Sequence, residues 1–144
     1  MKDKTMKSIF AIILLFLQIS PSFAQEVKLF KGTLKNQQYN IYLNINLYDK
    51  NITIPQQEIF GEVDGYLGDY QDSRKWIITA SEIIDKNNAK LQIINDYGSE
   101  DLTANLKIIN DSTYTLEQTS GSNIKIARNR KWIKLPSKLN FKKQ

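Results

Sequence analysis

Between positions 39 and 48 apolar and polar residues alternate strictly. Tyr39, Ile41, Leu43, Ile45 and Leu47 fall on one side, and Asn40, Tyr42, Asn44, Asn46 and Tyr48 on the other. A period of two gives each set its own face of an extended strand, whereas 3.6 residues per turn would scatter the apolar set around a helix. Leu102, Ala104, Leu106 and Ile108 repeat the pattern against Thr103, Asn105 and Lys107, and so do Tyr114 with Leu116 and Ile124 with Ile126. The runs 27–35, 59–66, 76–84 and 90–94 are rich in β-branched and aromatic residues and end at turn formers. Eight or nine strands are predicted.

The polar stretches 85–88, 97–101, 110–112 and 119–122 are short enough for hairpins and too short for crossovers. No segment after residue 24 carries a sustained 3.6-residue apolar stripe, which argues against a βαβ arrangement. The predicted fold is therefore all-β: a small antiparallel meander barrel of about eight strands, with a β-sandwich as the alternative. The barrel is preferred because closure removes edge strands. Gly61, Gly65 and Gly68 interrupt β-patterned sequence and are expected to be bulges or tight bends.

The first residues read differently. Lys2, Lys4 and Lys7 precede an unbroken apolar run at 9–17, Pro21 follows, and Ser22-Phe23-Ala24 sets small residues where a signal peptidase reads. That run is signal-peptide length and short for a membrane span. Residues 1–24 are expected to be a cleaved signal peptide, 25–136 the barrel domain and 137–144 a basic, solvated C-terminal tail. The mature chain is thus expected to be secreted or periplasmic, with no integral membrane segment. It contains no cysteine, so packing alone must stabilise it, and a lipid-anchoring cysteine beside the cleavage point is missing as well.

Charge is divided unevenly. The chain carries +5, of which Lys2, Lys4 and Lys7 against Asp3 contribute +2. Residues 125–144 hold eight cations and no acid, so residues 25–124 carry −5. Arg128, Arg130, Lys131 and Lys134 around Trp132 form a candidate basic patch, able to meet an anion beside a stacking face. The plainer reading is a last barrel strand over 124–135 whose lysines guard a seam.

The segment Phe30-Lys31-Gly32-Thr33-Leu34, the alternating strand after it, the glycine- and tyrosine-rich stretch 61–70 and Trp76-Ile77-Ile78-Thr79-Ala80 together resemble the opening of small secreted calycin-type β-barrels. Among such barrels the potempin-like proteins inhibit secreted proteases, so the resemblance implies a barrel fold and a protein-binding role. Potempin-like proteins are usually lipoproteins, and here the anchoring cysteine is missing. The resemblance carries over no functional residue.

Without histidine or cysteine, His-based acid/base catalysis, Ser-His-Asp and Cys-His nucleophilic sites, and His/Cys zinc sites are excluded. Ser122-Asn123-Ile124-Lys125 has the S-x-x-K spacing, but it runs from a turn into a strand and lacks the helical turn that chemistry needs. Carboxylates remain. Glu62 and Asp64, two apart on one strand, have roughly a glycosidase spacing, and Asp64 with Asp69 could offer oxygens to calcium, though not in an EF-hand pattern. Neither outweighs a solvated acidic face, so no catalytic residue, metal or cofactor is assigned.

The expected function is a secreted, non-enzymatic binding module for a protein partner, in its sharpest form an inhibitor of a secreted hydrolase or protease. Its alternatives are a calycin-like carrier of a small apolar ligand and a carboxylate-based hydrolase. No nucleic-acid partner is expected. The candidate partner-binding residues are Tyr66, Tyr70, Asp69, Glu62 and Asp64, offered on a flexible acidic loop over 61–72. The carrier reading is disfavoured by Tyr39, Leu43, Leu47, Trp76, Leu106, Tyr114 and Leu116, inward side chains large enough to fill an eight-stranded barrel.

Overall fold

The computed structural model describes residues 20–144. The basic and apolar stretch at 2–17 that carries the export reading lies outside the described residues. Residues 20–28 are exposed and belong to no strand.

Twelve strands follow: β1 (Lys31–Asn36), β2 (Ile41–Asn46), β3 (Ile52–Thr53), β4 (Glu62–Val63), β5 (Gly65–Asp69), β6 (Trp76–Asp85), β7 (Asn88–Asn95), β8 (Asp101–Asn110), β9 (Thr113–Gly121), β10 (Lys125–Arg128), β11 (Lys131–Lys134) and β12 (Lys138–Lys143), with one 3-10 turn at Glu58–Phe60. Eight of them close an antiparallel barrel in the order β1-β2-β5-β6-β7-β8-β9-β12, and β12 returns to β1. The predicted meander barrel is what forms. Two small hairpins are inserted into it: β3–β4 between β2 and β5, and β10–β11 between β9 and β12.

The interior follows from the alternation. Leu43 and Ile45 of β2, Leu91 and Ile93 of β7, Leu106 of β8 and Tyr114 of β9 are all buried in one cluster, and so is Leu34 of β1. Each large apolar side chain removed from water this way contributes about 1.5–3 kcal/mol. One end is closed by Phe30, which is buried. There the Tyr114 hydroxyl donates to the Leu29 carbonyl (2.6 Å), and the Phe30 N–H donates to the Tyr48 hydroxyl (3.1 Å).

Two expectations need correction. Residues 137–144 are not a solvated tail, because β12 pairs with both β9 and β1 and buries Leu139 and Phe141. Its Leu139, Phe141 alternation is that of a half-buried strand, and Lys138 and Lys142 simply take the outer face. Residues 124–135 are in turn not the last barrel strand but the β10–β11 hairpin, folded over the end of the barrel.

Gly61 makes the expected tight bend, closing the 3-10 turn at a φ of 63°, but Gly65 and Gly68 act otherwise. Register between β2 and β5 is regular, and the bulges lie in β6–β7 and β8–β9. Gly65 and Gly68 provide clearance instead: a Cβ at Gly65 would strike the Asn44 carbonyl, and one at Gly68 would overlap the Tyr42 ring. Tyr42 fills the space a side chain would occupy. The outer wall here is covered by β3–β4, where Ile54, Val63, Tyr66 and Ile77 form a second buried cluster.

Candidate functional site

The connections 37–40, 70–75, 96–100 and 122–137 all meet at one end of the barrel, because every second meander turn falls there. Three apolar residues, Ile124, Ile126 and Leu135, are buried beneath the β10–β11 hairpin and plug this end. Polar bonds fasten the cap. Arg128 holds both carboxylate oxygens of Asp69, from Nη1 at 2.6 Å and Nη2 at 2.9 Å, and also donates to the Tyr39 (2.7 Å) and Ala127 (2.8 Å) carbonyls. On the opposite flank Lys125 Nζ lies 2.7 Å from Glu100 Oε1, and the Trp76 indole donates to the Lys125 carbonyl at 3.2 Å.

The two loops beside the cap are braced by short acceptor side chains. Asp96 accepts from the Lys75 N–H (3.0 Å) and from the Gln57 amide (3.1 Å), while Asn95 Oδ1 accepts from the N–H groups of Ser99 and Glu100. Asp72 holds Arg74 at 2.9 Å. On this framework the Arg74 guanidinium stacks over the Trp132 ring at 4.7 Å. Trp132 is still 59% exposed, and Tyr97 is 77% exposed.

Between them lies an open cleft of about 460 Å³, lined by Arg74, Trp76, Tyr97, Glu100, Lys125, Trp132 and Lys134 among others. A second cleft of about 490 Å³ continues past Trp132 along Gln71, Asp72, Asn129, Arg130 and Lys131. The surface offers aromatic faces and cations on a rigid base, a chemistry suited to binding an anionic or mixed polar and apolar partner.

The predicted partner-binding residues do not assemble. The stretch 61–72 is not a flexible loop, since β4 and β5 occupy most of it. Tyr66 is core at 4% exposure, whereas Tyr70 is 51% exposed and packs its ring 4.8 Å from that of Tyr42, with the Lys35 ammonium 5.1 Å above. Asp64 is buried, accepting from the Ser81 hydroxyl at 2.5 Å with Lys50 Nζ at 3.6 Å, and Glu62 is exposed on β4. Asp64 and Asp69 stand at opposite ends of β5, about 16 Å apart at the rise of an extended strand, so they cannot share a cation. Burial of the Tyr42 phenol, then its contact with the Tyr66 hydroxyl and the nearby Tyr70 and Asp69, push its pKa well above the ordinary tyrosine range.

The basic patch fares better. Arg130, Lys131, Trp132 and Lys134 are exposed on one hairpin, and Arg128 belongs to that hairpin too, but its side chain turns toward the barrel end. Its side chain is 19% exposed and committed to Asp69, so one residue of each predicted set is bonded to the other. Sequence reasoning missed Arg74 and Tyr97. Tyr97 could have been flagged, because an aromatic residue in the polar turn before Gly98-Ser99 has no core to fill; Arg74 carries no such signal.

Comparison of the chain with protein-family models, with curated proteins and with solved structures finds no match in any of the three.

Proposed function

We propose that the mature protein is an exported, non-enzymatic binding module that engages a protein partner through the capped end of its barrel. The observation carrying this reading is the pair Trp132 and Tyr97, large aromatic side chains left exposed on either side of the 460 Å³ cleft, with Arg74 stacked on Trp132. Exposed aromatics beside arginine are the composition of binding hot spots, and a closed barrel holds them with little ordering left to lose on association. Export is supported by the basic and apolar N-terminal pattern and agrees with the resemblance to secreted calycin-type barrels. A carrier role fits less well, because Leu34, Leu43, Leu91, Leu106, Tyr114 and Phe141 occupy the interior.

Inhibition of an exported hydrolase is the specific form to test, since a hairpin fixed on a rigid barrel can enter a cleft. The assay immobilises the protein, exposes it to the host's extracytoplasmic proteins, and compares capture and hydrolase activity with those of a Trp132→Ala, Tyr97→Ala variant. A defined partner held by the natural chain and lost at least tenfold by the variant supports the reading. Equal capture by both proteins, or capture of none, overturns it.

A further inference from the structure

We propose that β11 is a docking edge on which an extended, acidic segment of the partner adds as a third strand beside β10–β11. The inference rests on the binding reading above and specifies how that surface is used. Asn129 and Arg130 both take positive φ, 52° and 64°, and form the two-residue turn that joins β10 to β11. The turn closes on the pair Arg128–Lys131, and the ladder continues through Ala127–Trp132 and Ile126–Ile133 to Lys125–Lys134. Antiparallel ladders alternate, and the closing pair of a two-residue hairpin faces inward. The N–H and C=O groups of Trp132 and Lys134 therefore point away from β10. No described strand pairs with that side of β11. All four of its residues are exposed.

Charge selects the occupant. Arg130, Lys131 and Lys134 make no ion pair with a described acid, whereas Lys125 and Arg128 are each held by one. Lysines on an edge normally protect it from pairing. A second copy of this chain would bring its own lysines against them, and like charges opposite each other are unfavourable. An acidic strand turns the same residues into attraction. Its alternate side chains on one face would run along Trp132 and Lys134 into the cleft, so a carboxylate there meets Lys134, and the residues between them lie on the face of Lys131 and Ile133.

The test uses isotope-labelled protein and the capped peptide Glu-Val-Glu-Val-Glu-Val, alongside its Lys-Val counterpart and a version N-methylated on alternate amides. The expected result is saturable binding with at least tenfold slower hydrogen exchange at the Trp132 and Lys134 amides. Binding should fall at least tenfold for the lysine peptide and for the N-methylated one, which keeps its charges but loses the main-chain donors. No binding, binding that leaves both amides unprotected, or equal binding of the N-methylated peptide overturns the proposal. Protection of these amides by self-association without peptide replaces the acidic segment with a second copy. A partner that is captured through Trp132 and Tyr97 while both amides stay unprotected removes edge pairing and leaves the binding reading standing.

Discussion

Replacing Arg128 by methionine keeps most of the side-chain stem and removes the guanidinium, leaving the Asp69 carboxylate, 4% exposed, with the Gln71 N–H at 2.9 Å as its remaining partner. Breaking a buried ion pair from one side costs about 3–5 kcal/mol, because the surviving charge stays desolvated. The hairpin could escape that cost by lifting off and letting water reach Asp69. Doing so would expose Ile124, Ile126 and Leu135, at about 1.5–3 kcal/mol each, so undocking is no cheaper than keeping the unpaired carboxylate buried. The stability loss should therefore stay near 3–5 kcal/mol. The converse change, Asp69→Asn, is gentler, because the 19% exposed arginine keeps the Tyr39 and Ala127 carbonyls and can draw in water; about 1–2 kcal/mol is expected. Urea unfolding followed by circular dichroism measures both losses. Fluorescence reports the cap, since the chain's two tryptophans are Trp76, bonded to Lys125 of the hairpin, and Trp132 on it. A loss under about 1 kcal/mol for Arg128→Met, or a larger loss for Asp69→Asn than for Arg128→Met, would refute the clamp.

Further consequences can be checked on the same footing. Phe141→Ala should cost about 3–5 kcal/mol in denaturant unfolding, as for a core aromatic, whereas a solvated tail would register almost nothing. Tyr66→Ala should lose about 3 kcal/mol or more and Tyr70→Ala less than about 1, and equal losses would contradict their different burial. Gly68→Ala should cost about 1–3 kcal/mol, and a double-mutant cycle with Tyr42→Ala should recover most of it, because the Tyr42 ring is what the new methyl strikes. Tyr42 and Tyr114 both have pKa values raised, chiefly by burial, so the folded state keeps their protons after the unfolded chain has released them. Their contribution is complete below about pH 10, the ordinary tyrosine value, and is lost as pH rises through the folded values. Thermal midpoints should thus decline above about pH 10, less steeply in a Tyr42→Phe, Tyr114→Phe variant, and an unchanged slope in that variant would count against the assignment.

The barrel was legible in the alternation because a period of two is a local property. Ile41 through Asn46 and Leu102 through Ile108 determine which residues face inward wherever the strands end up, while the ends of the alternating run, Tyr39 and Tyr48, fall in turns, and short polar turns leave neighbours little choice but to pair. Charge, read along the chain, was misleading. The eight cations of residues 125–144 look like one basic tail, but Leu139 and Phe141 draw half of that stretch into the barrel wall, and the other half becomes the cap.

The candidate site could not be read in the same way, because it depends on contacts between positions far apart in the chain. Arg128 and Asp69 are 59 residues apart, and Trp132 and Arg74 come from connections that share an end only after the meander closes. Sequence alone established two faces for each strand, the absence of histidine and cysteine, and aromatics available for a surface. Tertiary structure decided which aromatics remain exposed, sending Tyr66 under β3–β4 and leaving Trp132 and Tyr97 in water. The physical reason is that burial of an outward-facing residue depends on which insertion happens to cover that wall, and nothing local in the chain encodes it.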